Sequence, residues 1–291
     1  MTIYNFGSIN IDHSYRVGHF PGPGETLAAS SYAFGLGGKG ANQSAAAAKA
    51  GAKVHHIGAV GPDGLWTLDQ LSGWGVDISQ VARTGIPTGH AIITIDAAAE
   101  NTIVIFPGAN RAVPAGLLEK ALAGARPGDT LLFQNETDWQ AEVANLAQER
   151  GLYTVYSAAP FDVTAVEAVL GHIDLLVLNA VEAEQLAAAL AAPLDGLGVP
   201  EVLVTRGDQG AEWRCRDGRR VLAPAHKIAA VVDTTGAGDT FLGYFVAARD
   251  QGLDTQAALG RAAVAASLKV ARPGTADAIP TAAEVDEFLD Q

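Results

Sequence analysis

The 291-residue sequence has one cysteine and few basic residues, and each scarcity excludes a class of protein. Cys215 alone cannot form an intrachain disulfide, which is typical of a reducing compartment. Lys and Arg number 19 against 32 Asp and Glu, a net charge of −13. This balance argues against nucleic-acid binding, because that binding depends on basic side chains that neutralise phosphates. The histidines lack metal-ligand spacing, so we expect no zinc site.

Long apolar runs are also missing from the sequence. No stretch reaches the roughly 20 apolar residues of a membrane span, so we expect no membrane partner. The opening MTIYNFGSINID has no basic segment followed by a long apolar run, and we therefore expect no signal peptide. These features together predict a cytoplasmic protein.

Short apolar runs alternate with alanine-rich segments of helical length. Such alternation predicts right-handed β–α–β units around a mostly parallel sheet. The predicted strands are TIYNFGSI, KVHHIGAV, AIITID, TIVIF, TLLFQ, YTVYS, LLVLN and EVLVTR. The predicted helices span residues 41–50, 64–73, 114–122, 139–150, 180–191, 237–249, 255–271 and 282–289.

Two regions interrupt the alternation of strands and helices. Residues 12–36 are rich in Gly, Pro, Ser and aromatic residues and have no helical period. Within residues 88–107, HAIITID and NTIVIF flank AAAE as the two strands of a hairpin would. We expect one α/β domain over residues 1–291, with these segments forming a small inserted β layer. Such layers commonly serve as a lid or a dimer surface.

The stretch VVDTTGAGDTF, residues 231–241, places an acid at the start of a predicted helix. Gly236, Ala237 and Gly238 lack bulk, so their main-chain amides can approach a ligand closely. Amides at a helix start form a cradle for an anion such as phosphate. A carboxylate at Asp239 beside a bound phosphoryl group is suited to accept a hydroxyl proton. The alternative is that Asp239 is only a helix N-cap.

A second glycine-rich stretch, GLGGKGANQSAAAAKAGA, covers residues 35–52. Ser or Thr does not follow Lys39, so this is not the phosphate loop of nucleotide hydrolases. Lys39 and Asn42 are three residues apart and can lie on one side of a helix start. A charged donor and an amide at such a mouth suit a ligand with many hydroxyl groups. The alternative is a strand-to-helix turn with a solvated lysine.

Two further predicted strand ends carry polar side chains. In GSINIDH, Asn10 and Asp12 alternate with isoleucines, so both side chains leave one face and can bind a sugar diol. An ordinary solvated strand end is equally consistent with that pattern. In LNAVEAE, Glu182 follows Asn179 by three residues, and the pair can hold a hydrated magnesium ion. A capping box is the competing explanation, and the spacing alone favours it.

These four stretches, in this order, resemble the ribokinase family, also called the PfkB carbohydrate kinases. GGKGANQSAAAAKAGA is similar to the N-terminal signature of the family and DTTGAGDTFLGYF to its C-terminal signature. Within the family, ENTIVIFPGAN and LFQNE resemble ribokinase rather than adenosine kinases. The resemblance implies a three-layer α/β/α fold with a mostly parallel central sheet. It also implies a small β lid that often joins two copies as a homodimer.

The resemblance further implies an activity and a role for each site residue. The activity is transfer of the ATP γ-phosphoryl group to a primary sugar hydroxyl, with D-ribose converted to ribose 5-phosphate. Asp239 is the implied base, and the amides of Gly236, Ala237 and Gly238 are the implied anion hole. The implied sugar-binding residues are Asn10, Asp12, Gly38, Lys39, Asn42 and Glu136. The implied nucleotide-binding residues are Asn179, Thr205 and Gly207.

The resemblance implies two kinds of metal ion. Glu182 is the residue implied to organise Mg²⁺ through water. Potassium is the implied monovalent cation, bound by main-chain oxygens of Asp233, Thr235, Lys269, Arg272 and Gly274. Ala278 departs from the pattern, because relatives tend to have a serine hydroxyl there as a cation ligand. Ala263 stands where relatives often offer Asn or His to adenine, which predicts loose base selectivity.

Other functions remain open at this point. Within the family, the acceptor could be a ketose, a deoxysugar or the ribose of a nucleoside, and His90 and Tyr15 lie in the lid where substrate contact is expected. A non-catalytic sugar sensor would be expected to have lost Asp239, which is present. GAVGPDG suggests a dinucleotide oxidoreductase, but it lacks the G-x-G-x-x-G order.

Overall fold

The computed structural model describes residues 1–98 and 100–290. In those residues the helices are α1 (Lys39–Lys49), α2 (Leu65–Gly73), α3 (Leu117–Ala121), α4 (Gln140–Glu149), α5 (Val163–Val169), α6 (Ala180–Ala189), α7 (Ala237–Asp250), α8 (Thr255–Val270) and α9 (Ala282–Leu289). The strands are β1 (Ile3–Phe6), β2 (Asn10–Arg16), β3 (Ser31–Gly37), β4 (Val54–Val60), β5 (Val76–Arg83), β6 (Gly89–Ile95), β7 (Asn101–Phe106), β8 (Thr130–Gln134), β9 (Tyr153–Ser157), β10 (Leu175–Asn179), β11 (Glu201–Thr205), β12 (Ala211–Cys215) and β13 (Arg220–Ala223).

Nine strands of the described chain form the large sheet, in the order β13-β12-β11-β10-β9-β8-β1-β4-β5. Only the β11–β12 and β12–β13 pairs are antiparallel, which confirms the predicted, mostly parallel sheet. Strands β1, β8, β10 and β11 therefore end at the same edge. Ligands bind at that edge in open parallel sheets, and Glu136, Asn179 and Thr205 lie there at or just after strand ends.

Helices cover both faces of this sheet and give the three layers that the resemblance implies. Helices α1, α2, α7, α8 and α9 contribute buried side chains to one core cluster, and α3 to α6 contribute to the other. The sheet supplies both clusters, because successive side chains of a strand point to opposite faces. In β1, Ile3 packs in the first cluster, whereas Tyr4 and Phe6 pack in the second.

The small sheet is built from the two segments that were expected to form the inserted layer. Its strand order is β3-β2-β6-β7, and β6 and β7 pair antiparallel as the predicted hairpin. Strand β2 begins at Asn10 and runs parallel to β6. This sheet carries a cluster of aromatic rings that includes Tyr15, Tyr32, His90 and Phe106.

The sequence prediction missed α5 and five strands, β2, β3, β5, β12 and β13. Helix α5 has seven residues, too few to show a helical period. Strands β3, β5 and β13 lie at sheet edges, where polar and exposed residues hide the alternation, as in Ser31–Phe34 of β3. The single strand predicted over residues 2–9 is wrong at its carboxyl end, because β1 stops at Phe6. None of the helices in residues 1–98 and 100–290 has the length and apolarity that a membrane crossing requires.

Helices α1 and α7 approach each other very closely, and glycine makes the approach possible. A Cβ atom on Gly243 would lie 2.5 Å from the Cβ of Ala46 and 2.7 Å from the carbonyl oxygen of Gln43. Neither distance is compatible with the close packing of protein interiors. The absent side chain at Gly243 therefore sets the spacing of the two helices, and with it the position of their first turns.

We predict that Gly243→Ala lowers the free energy of unfolding by about 1–3 kcal/mol, because the added methyl group overpacks this contact. Gly260→Ala in α8 is the matched control, since a Cβ there meets nothing within 4 Å. The control should be neutral or stabilised by up to about 1 kcal/mol through helix propensity. Urea denaturation measures both variants, and equal stability of the two would contradict the packing argument.

Candidate active site

Helix α7 begins in the way that the glycine-rich signature predicts. Gly236 is its N-cap, with a φ of 72°, in the left-handed region that favours glycine. Ala237 and Gly238 follow in the first turn, where amides have no acceptor within the helix. Asp239 is half-buried in the same turn. The proposed alternative, Asp239 as the N-cap, is wrong because Gly236 occupies that position.

The carboxylate of Asp239 is held by two amide side chains of α1. Asn42 Nδ2 donates to Asp239 Oδ2 at 3.1 Å, and Gln43 Nε2 donates to Asp239 Oδ1 at 2.9 Å. Each carboxylate oxygen has a second acceptor position, so a substrate hydroxyl can still donate to it. Asn42 was a predicted site residue, but Gln43 was missed. Adjacent helical residues rarely face the same way, and the spacing gave no reason to select it.

Gln43 is itself fixed by a chain of buried polar side chains. Its Oε1 accepts from Gln134 Nε2 at 2.8 Å, and Gln134 Nε2 also donates to Asn5 Oδ1 at 2.9 Å. Asn5 Nδ2 donates to Ser44 Oγ, which lies 2.8 Å from His56 Nδ1. Burial lowers the pKa of His56 to about 4, so its ring is neutral near pH 7. Because each amide has a defined partner, the chain orients Gln43 toward Asp239.

Lys39 lies among the acidic side chains of the site. Burial alone lowers the pKa of its ammonium group, but the carboxylates of Asp239, Glu136, Glu182 and Asp12 outweigh burial and raise that pKa. Burial raises the pKa of Glu136, and the charge of Lys39 opposes the rise. One ammonium therefore offsets the charges of several acids that would otherwise repel one another.

Glu136 is the residue of this cluster that the main chain holds most directly. Its Oε2 accepts from the main-chain nitrogen of Lys39 at 3.1 Å and from the hydroxyl of Ser8. Gly38 is the N-cap of α1 with a φ of 91°. A Cβ atom at Gly38 would lie 2.9 Å from the carbonyl oxygen of Ser8, so this turn also requires glycine. The structure thus brings together Gly38, Lys39 and Glu136, three residues that were predicted to bind the sugar.

Asn10 and Asp12 both lie on β2, at the junction of the small sheet with the body. Burial, together with the charges of Glu136 and Asp239, raises the pKa of Asp12 to about 6. The Asp12 carboxyl lies across Gly37, where a Cβ atom would come within 2.2 Å of it. Asn10 Oδ1 accepts from Asn110 Nδ2 at 2.7 Å.

A cavity of about 420 Å³ adjoins the start of α7. Its lining includes Thr205, Gly207, Ala237, Gly238, Ala263 and apolar side chains such as Val231, Phe241 and Val270. This size and mostly apolar lining are typical of small-molecule sites. The cavity joins two predicted nucleotide residues to the predicted anion hole, and it places the departure at Ala263 in its wall.

Asn179 and Glu182 lie outside the lining of this cavity and form a capping box at the start of α6. Asn179 Oδ1 accepts from Glu182 N at 2.9 Å, and Glu182 Oε2 accepts from Asn179 N at 2.8 Å. Burial raises the pKa of Glu182, although the Asn179 amide and Lys39 oppose this. The helix cap accounts for the spacing of the pair, and their nucleotide and magnesium roles stay predictions.

Three of the residues expected around a monovalent cation, Thr235, Gly274 and Lys269, contact Asp233. Thr235 N donates to Asp233 Oδ1 at 2.9 Å, and Gly274 N donates to Asp233 Oδ2 at 3.0 Å. Arg272 N donates to the carbonyl oxygen of Lys269 at 3.0 Å. The prediction considered only the main chain of Lys269. Its side chain is fully buried, and Nζ donates to the carbonyl oxygen of Asp233 at 2.8 Å.

Comparison with known proteins identifies the family of this chain. A model of the pfkB family carbohydrate kinases matches residues 2–282. The chain is 34% identical to ribokinase of Haemophilus influenzae, covering 99% of this chain and 98% of that protein. It is 31% identical to deoxyribokinase of Salmonella typhimurium, covering 99% of each. The structure of Arabidopsis thaliana ribokinase complexed with ribose and ATP has a TM-score of 0.89 and 30% identity, covering 99% of this chain and 98% of that one. The chain therefore belongs to the pfkB family of carbohydrate kinases and is a ribokinase-like sugar kinase.

Proposed function

We propose that this kinase transfers the γ-phosphoryl group of ATP to the primary hydroxyl of D-ribose, giving ribose 5-phosphate. The observation that carries the proposal is the Asp239 carboxylate, held by Asn42 and Gln43 beside the small-residue start of α7. Support for the acceptor comes from the ribokinase of Haemophilus influenzae and from the Arabidopsis thaliana ribokinase complexed with ribose and ATP.

In this proposal the sugar lies between β2 and the start of α1. The ionised Asp12 accepts hydrogen bonds from two neighbouring hydroxyls, and Lys39 donates to a sugar oxygen. Asn10, Gly38 and Glu136 complete the set of sugar-binding groups. The acids and Lys39 are close enough to shift one another's pKa, which supports a common binding region.

The nucleotide occupies the 420 Å³ cavity, with Thr205 and Gly207 beside its base and ribose, Asn179 near its phosphates, and the phosphates toward α7. The amides of Gly236, Ala237 and Gly238 bind the oxygens of the transferred group, where negative charge must be stabilised. Ala237 N joins them by exchanging its hydrogen bond to Thr234 O for one to the phosphoryl group. Asp239 takes the proton of the primary hydroxyl as that oxygen bonds to phosphorus, and ADP leaves. Phosphoryl transfer is often loose, so a weak base is sufficient. Closure of the small sheet would exclude water, which competes as an acceptor.

Glu182 fits a water-mediated magnesium site in its chemistry, because Mg²⁺ prefers oxygen ligands and keeps several waters. Glu182 lies at the carboxyl edge of the sheet, where its Oε2 accepts the capping hydrogen bond from Asn179 N. Burial raises the pKa of Glu182, and the charge of Lys39 is close enough to oppose that rise. The ion would offset phosphate charge during transfer. Potassium activation stays a prediction, since the carbonyl oxygen of Asp233 already accepts a hydrogen bond from Lys269.

We further infer a homodimer that forms through the small sheet. Strand β7 lies at the edge of this sheet and exposes Ile103, Val104, Ile105 and Phe106, each by about half or more. Contiguous exposed apolar surface of this kind marks interaction sites, and an open edge strand is a site for pairing. The cytoplasmic location inferred from composition stays a prediction.

A second acceptor, 2-deoxyribose, is favoured by the 31% identity to the Salmonella deoxyribokinase. The decisive experiment measures ADP release with ATP, Mg²⁺ and a panel of ribose, 2-deoxyribose, fructose and nucleosides. We expect ribose to give the highest kcat/KM, because a 2-deoxy sugar cannot offer Asp12 two neighbouring hydroxyls. In Asp12→Asn the preference for ribose over 2-deoxyribose should shrink. A higher kcat/KM for any other acceptor would overturn the assignment of ribose.

We predict that Asp239→Asn lowers kcat by about 10²–10⁴-fold, the usual contribution of a general base. The KM for the sugar should change only by a few fold, because the amide keeps the shape of the carboxylate. Asp254→Asn is the control, since Asn also serves as an N-cap and Asp254 caps α8 away from the site. Retained turnover in Asp239→Asn would contradict the base assignment.

We predict that Gln43→Ala lowers kcat roughly tenfold, because one hydrogen bond to a charged group contributes about 1.5–3 kcal/mol. Its KM for the sugar should remain close to that of the wild type. Gln251→Ala is the matched control: Gln251 also links α7 to α1, through Ala50 O at 3.0 Å, but at the far end of both helices. Steady-state kinetics compares the two, and equal losses of kcat would argue against orientation of Asp239 by Gln43.

We predict that acid weakens sugar binding through Asp12. Its pKa is raised to about 6, so Asp12 becomes protonated as the pH falls through that value and cannot then accept two hydroxyl groups. The KM for ribose should rise roughly tenfold from pH 7 to pH 5, as expected for one ionisation. Asp12→Asn should bind ribose weakly with a flat pH profile. A wild-type KM that stays constant over this range would contradict the role of Asp12.

A further inference from the structure

Lys269 is a fully buried lysine in the last turn of α8. Lysine is almost never fully buried unless its charge is paired. Here Nζ lies 2.8 Å from the carbonyl oxygen of Asp233 and 3.9 Å from its Oδ1. The ammonium group of Lys269 therefore lies inside the protein and contacts Asp233, a residue of the segment that leads into α7.

Burial lowers the pKa of the Lys269 ammonium group, and three features of its surroundings oppose that fall, the first being the carboxylate of Asp233. The carboxyl end of α8 carries the negative end of the helix dipole. Val270 O, at the same end, accepts from Val232 N at 2.7 Å and from Asp233 N at 3.1 Å. Residues 232–233 are thus attached to the end of α8 by two main-chain hydrogen bonds and by the Lys269 side chain. The carboxylate of Asp233 in turn accepts from Thr235 and Gly274.

We propose that the Lys269 ammonium replaces the potassium ion that the family resemblance implies at this place, as a cation tethered to the chain. Its Nζ uses the carbonyl oxygen of Asp233, one of the oxygens expected to bind the ion. The residues present do not fit a second cation on the same oxygen, because two positive charges in contact repel. Lysine offers a compact charge and three donors, which suits a site built from main-chain oxygens.

Lys269 is a positioning residue in this proposal and does not touch substrate. Asp233 lies three residues before Gly236, and Ala237 N donates to Thr234 O at 3.1 Å, so the held segment leads directly into the anion hole. The effect on catalysis rests on the proposed function of Gly236–Gly238. The effects on cation binding and on unfolding do not rest on that function. The proposal about Lys269 and the proposed function can therefore fail separately.

The first measurement uses the wild-type chain in KCl, NaCl and choline chloride at equal ionic strength. Thermal unfolding gives Tm, and ADP release gives kcat and the KM for ATP. We expect the kcat values in the three salts to agree within about twofold, a difference that unequal ionic screening can cause. The Tm should be the same in all three salts. A saturable rise of Tm and kcat with K⁺, absent in choline, would overturn the proposal.

The second measurement uses Lys269→Met, which removes the charge and keeps much of the side-chain volume. We expect a lower Tm and a lower kcat in choline chloride. K⁺ or NH₄⁺ should restore both in a saturable way, because an ion that binds only the folded state stabilises it. A folded variant whose Tm and kcat do not change with added K⁺ or NH₄⁺ would overturn the proposal. If this variant fails to fold in every salt, the wild-type measurement decides alone.

Lys49→Met is the matched control. Lys49 Nζ also donates to main-chain oxygens, those of Ala276 at 2.9 Å and Ile279 at 3.0 Å, but it does not contact Asp233. We expect this variant to be less stable and to show no selectivity for K⁺ over choline. Equal recovery by K⁺ in the Lys49 and Lys269 variants would identify a general salt effect and overturn the proposal. Because Tm needs no sugar, a wrong acceptor cannot imitate the Tm results.

Discussion

The contact between α1 and α7 determines where the Asp239 carboxylate lies. Gly243 allows α7 to approach Ala46 and the main chain of Gln43, so the amides of α1 reach Asp239 in the first turn of α7. The same pair of first turns provides Lys39 on one side and the small residues from Gly236 on the other. The close approach of the two helix backbones thus makes possible both side-chain hydrogen bonds to Asp239.

Local charge opposes the overall charge of the molecule. A chain with a net charge of −13 repels nucleotides at long range, and the proposed site adds several acids to that total. The opposing elements are few and fixed: the ammonium of Lys39 among the acids, the start of α7 with the positive end of its helix dipole, and the buried ammonium of Lys269 behind it. Preorganised groups of this kind need no rearrangement when charge develops.

The sequence was sufficient to predict the parallel sheet, most helices and the small inserted sheet, because those features depend on apolar periodicity and turn residues. Glycine-rich signatures also located Lys39, Asn42 and Asp239. Gln43 and Gln134 could not be found in this way, because amides within buried elements have no periodic signature and acquire a function only through contacts distant in sequence. The side chain of Lys269 was overlooked for a similar reason, because only the structure shows that it is buried against Asp233.

The hydrogen bond from Asn42 to Asp239 joins residues 197 positions apart in the chain. During synthesis, the half of the molecule that carries β2 and α1 emerges long before α7 exists. Closing so long a loop is entropically unfavourable, and contacts of this kind form late in folding. Partly made or partly folded chains can therefore present the proposed sugar-binding groups without Asp239, and the proposed phosphoryl transfer requires that both halves have joined.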